Sequence, residues 1–505
     1  TPGKKSKVMV DVTNNGTTTM SDSVTVNIYG NTSNTLDGNE ILLGTATKKL
    51  TLKSDQIKTN SVVIELDSSI APDDYYLFAV VDPDNTIDES NEDNNAAVSS
   101  TTSEVAWKFG DLGNGKKTLL KLTDSDGTLV TFNLTGNGCG QIIENNDGTW
   151  SMLVTGTNKS SKIAINAKGG DNIVELRDIT IGDLNDDSDQ TILGQFAGKN
   201  VDLNGGDFTV TGSVSKLILG DVTDTTMTFM DAYKSGTDIT LDQLTDVIIN
   251  AQTGFNKFTI IDWSDTDNTA DELNASWINK LSVKGSKKAD IAGNFETDLN
   301  LSNTDASKYA LNTVSIKGAV DGRTWDINGN IKNLKIDSVD DTDITVNGIA
   351  EKVSLGHMIG GSFTAHAIGK LATSTAKNIA SNGSFNTDLD LAGATKEKYT
   401  VKTLSVKGDI TNADMQVAGK IGALVVKGQV ANSSLSVVDD SDLRQNAVIE
   451  KLVLKEVSTV DVSVEGNIGL AKADRWQSGS FTAEAMKNLK INRTFSADLD
   501  LSGNL

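Results

Sequence analysis

The chain of 505 residues contains one cysteine, three prolines and two histidines, and only 5% of its residues are aromatic. A single cysteine excludes a disulfide framework, and so few histidines exclude a zinc site built from cysteine and histidine. No run of about 18 apolar residues occurs, so the sequence predicts no membrane span. Long runs of the strong helix formers Ala, Glu, Lys and Leu are also missing. These absences argue against a helical protein, a disulfide-rich protein and a membrane-spanning protein.

The composition instead favours an all-β protein. The 45 glycines and the abundant Asn, Asp, Ser and Thr residues separate short β-branched runs, which is typical of many short strands joined by tight turns. The chain carries 45 basic and 68 acidic residues, a net charge of −23. Such a chain is a poor partner for nucleic acid, because phosphate binding requires clustered lysines and arginines.

The first hundred residues predict a small β-sandwich. Residues 7–13 and 23–29 alternate between apolar and polar side chains, and residues 61–66 and 75–81 supply two more runs of strand character. Turn residues such as Asn14-Asn15-Gly16 separate these runs. This spacing indicates an antiparallel β-sandwich.

Two blocks of this region also resemble a known family. Asn34-Thr35-Leu36-Asp37-Gly38-Asn39-Glu40 continues into an apolar run, and Tyr75-Tyr76-Leu77-Phe78 leads into Asp82-Pro83-Asp84-Asn85 and then Asn91-Glu92-Asp93-Asn94-Asn95. Both blocks are similar to CARDB modules, the cell-adhesion-related domains of bacterial surface proteins. The resemblance implies an Ig-like sandwich on an extracellular protein, and it supplies no ligand.

The acid density of residues 82–95 and of residues 183–189 predicts that calcium matters, and the loop at 82–95 offers the named candidate ligands. Carboxylate oxygens are the ligands that Ca²⁺ prefers, but the spacing does not fit an EF-hand loop. The alternative is that these side chains form Asx turns and cap the backbone. The candidate ligands are Asp82, Asp84, Asp88, Glu89 and Glu92.

The second half of the chain is repetitive. A strand of the form apolar-x-apolar-Lys-Gly recurs, and the interval from Ile316 to Ile336 equals the interval from Val406 to Val426. A longer repeat begins at Phe295, Phe385 and Phe495, each followed by alternating acidic and apolar residues. A period of about 20 residues with several short strands predicts a β-solenoid, here a parallel β-helix. Clear copies of the short repeat are Leu281–Gly285, Val314–Gly318, Leu404–Gly408 and Leu424–Gly428.

We therefore expect three parts: a CARDB-like Ig-like sandwich at residues 1–103, a β-rich cap or first coils at 104–165, and parallel β-helix repeats at 166–505. A cap is expected because the first coil would otherwise expose an open sheet edge. Residues 131–181 resemble stretches that precede β-helix repeats in very large bacterial cell-surface proteins. The repeat lysines, such as Lys407 and Lys427, are expected to face outward, either as a solvated surface or as a surface that binds anions or glycans.

Little in the sequence indicates catalysis. His357 and His366 lie nine residues apart, and no adjacent carboxylate pattern supports a metal triad. Cys139 lies between two glycines without a neighbouring base. A glycosidase needs two carboxylates about 5–9.5 Å apart, and the loops offer four candidate groups: Asp183, Asp186, Asp187 and Asp189; Asp262, Asp265, Asp267 and Asp271; Asp340, Asp341 and Asp343; and Asp439, Asp440 and Asp442.

The sequence thus predicts a non-catalytic structural or adhesive protein on the bacterial surface or secreted from the cell: a rigid stalk, or a building block of a surface layer or fibre. Its expected partners are other copies of itself or neighbouring surface proteins, and glycans are a further option. Ca²⁺ is the one cofactor that the sequence suggests. The alternative is a carbohydrate-binding β-helix, or one that cleaves polysaccharides as a lyase or glycosidase.

The two ends of the sequence suggest a longer polypeptide. Thr1 lacks an initiating Met and a signal-peptide pattern, and residues 495–505 open a repeat that the chain does not continue. An open last coil would leave unpaired backbone groups. We expect that the native chain continues past Leu505 or that another subunit covers this end.

Overall fold

The computed structural model describes residues 5–67, 70–113, 117–184, 192–230, 236–267, 269–303, 305, 309–375, 382–394, 396–439 and 447–502. The regular secondary structure of these residues consists of β-strands without a helix, which confirms the predicted all-β class. None of them therefore forms a helix that could cross a membrane. The chain divides into two compact units, Thr1–Leu176 and Arg177–Leu505.

The first unit begins with two antiparallel sheets. Strands β1 and β4 form one sheet, and β3, β2, β5 and β6 form the other in that order, with β7 also paired to β5. Alternate side chains of the longer strands point into a common apolar core that includes Val24, Val26 and Ile28. The predicted antiparallel sandwich is confirmed. Its strands are β1 (Lys5–Thr13), β2 (Met20–Asn31), β3 (Ile41–Leu52), β4 (Ile57–Glu65), β5 (Asp73–Val81), β6 (Ala96–Val98) and β7 (Ser103–Val105).

Farther along the first unit, strands between residues 107 and 168 also pair in antiparallel fashion. An aromatic cluster forms its core: the Trp107 and Trp150 ring centroids lie 5.9 Å apart, and those of Phe109 and Phe132 lie 5.7 Å apart. Gly140 is required beneath Phe109, because an added Cβ would lie 2.1 Å from that ring. The strands are β8 (Trp107–Asp111), β9 (Lys117–Thr118), β10 (Leu120–Thr123), β11 (Leu129–Thr135), β12 (Cys139–Glu144), β13 (Trp150–Thr155), β14 (Lys162–Lys168) and, crossing the boundary between units, β15 (Val174–Ile181).

The described residues of the second unit form thirty further strands, and the pairing between these strands is parallel. They are β16 (Ile192–Leu193), β17 (Gln195–Ala197), β18 (Val201–Asn204), β19 (Asp207–Val210), β20 (Ser213–Val214), β21 (Lys216–Ile218), β22 (Val222–Phe229), β23 (Thr237–Thr240), β24 (Gln243–Ala251), β25 (Phe255–Ile260), β26 (Asp262–Ser264), β27 (Glu272–Ala275), β28 (Ile278–Val283), β29 (Asp298–Leu301), β30 (Tyr309–Asp321), β31 (Thr324–Ile327), β32 (Asn330–Asp340), β33 (Asp343–Leu355), β34 (Met358–Thr373), β35 (Phe385–Leu391), β36 (Val401–Val406), β37 (Ile410–Thr411), β38 (Asp414–Ala418), β39 (Lys420–Val426), β40 (Gln429–Val438), β41 (Ala447–Val453), β42 (Glu456–Trp476), β43 (Ser480–Met486), β44 (Leu489–Phe495) and β45 (Asp498–Leu501).

One series of strands runs through the whole second unit. Each member pairs in parallel with the strand that lies one repeat further along the chain, and the central residue of each is 3% exposed or less, except for Leu499 at the end. We call each member a rung, and we call the stretch of chain from one rung to the next a coil. The fifteen rungs are centred on Ile179, Phe208, Met227, Ile249, Leu273, Leu299, Trp325, Ile344, Phe363, Leu389, Met415, Leu435, Val462, Phe481 and Leu499.

The predicted repeats fall into this register. Phe295, Thr297 and Leu299 are buried as the alternation requires, and the copy that begins at Phe385 behaves in the same way. The copy that begins at Phe495 is more exposed, and Leu499 retains 42% of its accessible surface. Period-two burial therefore holds in the inner copies of the repeat and weakens in the last one.

A continuous aromatic stack fills the core of the first half of the second unit. Successive ring centroids lie 5.4–6.4 Å apart. Such pairs contribute about 0.5–1.5 kcal/mol each beyond their buried area. The stack comprises Phe196, Phe208, Phe229, Phe255, Phe258, Trp263, Phe295 and Trp325.

Asp and Asn side chains connect neighbouring coils. The backbone N–H of Thr324 donates to Asp298 Oδ1 at 2.8 Å, and that of Asp414 donates to Asp388 Oδ1 at 2.8 Å. Asn330 Oδ1 accepts from the N–H of Ile349 at 2.8 Å in the same way. These bonds satisfy backbone donors where the strand ladder is interrupted, so the abundance of these residue types has a structural cause.

A second repeated feature is a turn whose residue adopts a left-handed backbone conformation. Asn412, Asn432 and Thr459 occupy equivalent positions on successive coils, and their φ angles of 53°, 50° and 56° lie in the left-handed region. Asn tolerates this region, whereas a β-branched residue is strained there. Thr459 is exposed, so packing does not dictate its identity.

We expect Thr459→Asn to stabilise the second unit by about 1 kcal/mol, because the replacement relieves strain at a positive φ. Asn432→Thr is the matched control and should destabilise it by a similar amount. Urea unfolding followed by circular dichroism measures both changes. Equal stability of the two variants would contradict the assignment of strain to this turn.

Candidate functional site

The predicted calcium loop is held together by its own hydrogen bonds. Asp82 is 4% exposed, and its Oδ1 accepts from the backbone N–H and the hydroxyl of Thr86 at 3.1 and 2.7 Å. Its Oδ2 accepts from the N–H of Ile87 at 2.8 Å. Burial alone would raise the pKa of Asp82, but the hydrogen bonds from Thr86 and Ile87 outweigh it and lower that pKa. Asp82 thus forms the Asx-type turn that the sequence offered as the alternative.

The other four candidate calcium ligands are exposed. Glu92 turns back to the loop, where its carboxylate accepts from the N–H of Glu89 at 3.0 Å and from Asn95 Nδ2 at 3.3 Å. Asp84 and Asp88 extend from the same loop. All five carboxylates belong to the described residues, and no three of them converge on a common point. Calcium binding at this loop stays a prediction.

Within the part of the chain that the structure describes, one group of three carboxylates does converge. Asp246, Asp265 and Asp271 bring carboxylate oxygens within 4.8 Å of one another. Spacing in the sequence groups Asp265 and Asp271 with Asp262 and Asp267, and this group does not include Asp246. Asp246 lies one coil before Asp265, so the repeat period was the signal that could have found it.

Asp246 and Asp265 are held by donors from neighbouring loops. Asp246 Oδ1 accepts from the N–H groups of Thr266 and Asp267 at 2.6 and 3.2 Å, and its Oδ2 accepts from the Thr266 hydroxyl at 2.7 Å. Burial opposes ionisation, but these bonds lower the pKa of Asp246 overall. Asp265 Oδ2 pairs with Arg323 Nη1 at 2.6 Å, with both side chains largely buried.

Asp271 is the third member and is 2% exposed. The Trp263 indole N–H donates to its Oδ2 at 2.6 Å. Burial raises the pKa of Asp271 to about 7, and the nearby carboxylates of Asp265 and Asp246 also raise it. The hydrogen bond from Trp263 lowers this pKa but does not outweigh burial. A carboxyl with this pKa could act as a general acid, but it is enclosed beneath the surface, where a polymeric substrate does not reach it.

Asp262 and Asp267 do not join this group. Asp262 Oδ1 accepts from the N–H groups of Gly293 and Asn294 at 3.0 and 2.6 Å. Burial raises the pKa of Asp262, and these two bonds oppose the rise. Asp267 is exposed and accepts from the N–H of Thr269. Of the four carboxylates that sequence spacing groups together, Asp265 and Asp271 therefore belong to the convergent group. Asp262 and Asp267 instead accept hydrogen bonds from backbone N–H groups elsewhere.

The structure also brings Ser338, His357 and Asp340 together. His357 Nε2 lies 2.7 Å from Ser338 Oγ and 3.2 Å from Asp340 Oδ1, and the Ser338 hydroxyl donates to Asp340 Oδ2 at 2.5 Å. In a hydrolytic triad the carboxylate binds the ring nitrogen that does not face the serine. Here both groups contact Nε2, and Ser338 is 3% exposed. This arrangement is a buried polar network without an accessible nucleophile.

The remaining candidates are dispersed. His366, Asp183, Asp341, Asp343 and Asp439 are exposed at separate positions. Burial raises the pKa of the Cys139 thiol, which disfavours a nucleophilic thiolate. Asp186, Asp187, Asp189, Asp440 and Asp442 lie outside the described residues, as does Leu505.

The outward surface of the fifteen rungs is unusually uniform in charge. Two positions flank each buried central residue, one on either side, and none of these thirty positions is Lys, Arg or His. Thirteen are Ser or Thr, and twelve are acidic. We call this surface the acidic face; its carboxylates are Asp178, Asp207, Glu272, Asp298, Asp326, Asp343, Asp388, Asp390, Asp414, Asp461, Asp498 and Asp500.

Polar side chains also bond along this face. Asn274 Nδ2 donates to Asn250 Oδ1 at 2.9 Å, and Asn300 Nδ2 donates to Asn274 Oδ1 at 2.8 Å. Further along, the Ser434 hydroxyl donates to Asp414 Oδ1 at 2.7 Å. The face is thus an ordered polar array whose rungs are about 4.8 Å apart.

A second ladder in the same coils presents the opposite charge. It contains the repeat strands predicted from the sequence, with a central column that includes Leu334, Val353 and Leu371. We call the outward positions that flank this column the lysine face. They include nine exposed lysines and one acid, Asp238. The lysines are Lys216, Lys257, Lys280, Lys335, Lys352, Lys370, Lys451, Lys472 and Lys490.

Comparison with known protein families gives one match: the CARDB family model matches residues 1–99. This match supports the resemblance of the N-terminal sandwich to Ig-like CARDB domains, and it covers about a fifth of the chain. No curated protein sequence matches the chain. No solved structure matches it either.

The raised pKa of Asp271 predicts a pH dependence of stability. Between its ordinary value of 3.8 and about 7, the folded chain binds more protons at this group than the unfolded chain does. Its contribution to stability is therefore complete below pH 3.8 and is lost as pH rises through about 7, by up to about 1.4 kcal/mol per pH unit.

Asp271→Asn should reduce the stability difference between pH 5 and pH 8, as measured by urea unfolding. Asp246→Asn is the matched control and should destabilise the protein at both pH values, because a carboxylate that accepts three hydrogen bonds is lost. An unchanged pH difference in Asp271→Asn would contradict the assignment.

The hydrogen bonds of Asp82 predict a different result for the first unit. Asp82→Ala should lower its stability by about 1–3 kcal/mol, because three donors lose a buried acceptor. Thermal melts in chelator and in millimolar Ca²⁺ should show the same loss. A loss seen only in Ca²⁺ would instead favour the calcium hypothesis, and exposed Asp84→Ala serves as the control.

Proposed function

We propose that the second unit is a parallel β-helix and that the protein is a non-catalytic, extracellular structural or adhesive element of a bacterial surface. The observation that carries the proposal is the uninterrupted parallel register through fifteen rungs. Fourteen steps of about 4.8 Å correspond to a stack on the order of 70 Å long. A stack of this kind resists bending because each coil is bonded to the coils on both sides.

Two further features support a structural role. CARDB domains are typical of cell-surface proteins, which favours an extracellular location. The carboxyl with the raised pKa, Asp271, and the serine beside a histidine, Ser338, are both buried. The large aromatic residues Trp263, Trp325 and Trp476 are also buried, so they do not offer stacking platforms for sugars.

Electron microscopy of the full chain tests the proposal. We expect particles to contain a straight segment of constant length, on the order of 70 Å. A rounded second unit without such a segment would refute the β-helix. A reducing-sugar assay on a panel of polysaccharides tests the absence of catalysis, since turnover of any of them would overturn the purely structural role.

A further inference from the structure

We propose that copies of this chain associate side by side, with the acidic face of one copy against the lysine face of a second copy. This inference rests on the proposed β-helix and adds its partner and the surfaces involved. The acidic face carries twelve carboxylates without a basic residue, and the lysine face carries nine lysines and a single acid. The two surfaces are complementary in charge along the same stretch of chain.

The lysines are available for such a contact. All nine are exposed, and none forms a salt bridge with another residue that the structure describes. On the other face, Asp326, Asp390 and Asp500 are exposed as well. Complementary charges on facing surfaces fix the register of a complex and exclude surfaces of the same sign.

The spacing of the charges favours a contact along the length of the unit. Lys335, Lys352 and Lys370 lie on three consecutive coils of their ladder. Both faces belong to the same coils, so both repeat at about 4.8 Å. Two copies aligned side by side therefore present charges with a common period, and individually weak pairs add up over many coils.

The net charge of −23 opposes association at long range. At about 0.15 M salt, however, exposed charges are screened beyond about 8 Å. Only the facing surfaces then interact strongly. Association is expected at this ionic strength, and it should weaken toward about 1 M salt, where the contact pairs are screened as well.

Charge reversal on the full chain tests the proposal by sedimentation velocity in chelator. The first variant is Lys335→Glu, Lys352→Glu and Lys370→Glu, and the second is Asp326→Lys, Asp390→Lys and Asp500→Lys. Each variant alone should self-associate at least about tenfold more weakly than the wild type. An equimolar mixture of the two should recover association, because the first variant keeps the wild-type acidic face and the second keeps the wild-type lysine face.

The matched control is Lys48→Glu, Lys49→Glu and Lys53→Glu, which makes the same charge change on exposed residues of the first unit. It should associate like the wild type. A wild type that stays monomeric, a first variant that associates normally or a mixture that does not recover would each overturn the proposal. Association that requires Ca²⁺ and survives lysine reversal would also overturn it. A straight segment in micrographs of a monomeric wild type would leave the β-helix intact while excluding the lateral contact.

Discussion

The parallel hydrogen-bond ladder is the constraint on which the second unit depends. Each strand finds its backbone partners on the neighbouring coils, so every coil must place its strands at the same positions. That requirement fixes the other features. The central residue of a rung is buried, its two neighbours face outward, and turns must return the chain within a few residues.

Polar side chains outside the core serve this ladder. Asp298 and Asp388 contribute no apolar surface to the core, yet each binds a backbone N–H of the following coil. Asn412 and Asn432 allow the chain to turn through the left-handed region. The many Asp and Asn residues therefore maintain the register between backbone strands. The acidity of the chain follows from this use of Asp, and the acidic and basic side chains lie on different outward faces.

The periodicity of the sequence made the repeated strands predictable, but it did not indicate contacts between residues of different coils. Val314–Gly318 and its copies indicated their strands, because apolar alternation and a period of about 20 residues are local signals. The convergence of Asp246 with Asp265 and Asp271 was missed, because it depends on the alignment of neighbouring coils in space. The pKa of Asp271 depends on enclosure beside Trp263, which spacing does not encode. The sandwich followed from alternation and turns, whereas no sequence repeat indicated the edge-to-face contact between Trp107 and Trp150.

The short separation between paired strands has a kinetic consequence. All-β proteins usually fold slowly, because segments far apart in the sequence must meet before their pairing contributes any stabilising free energy. In the second unit the partner is always about one coil away, whatever the total length. Order can therefore start at any coil and spread to its neighbours. A chain built in this way could gain or lose whole coils without lengthening any loop that folding must close.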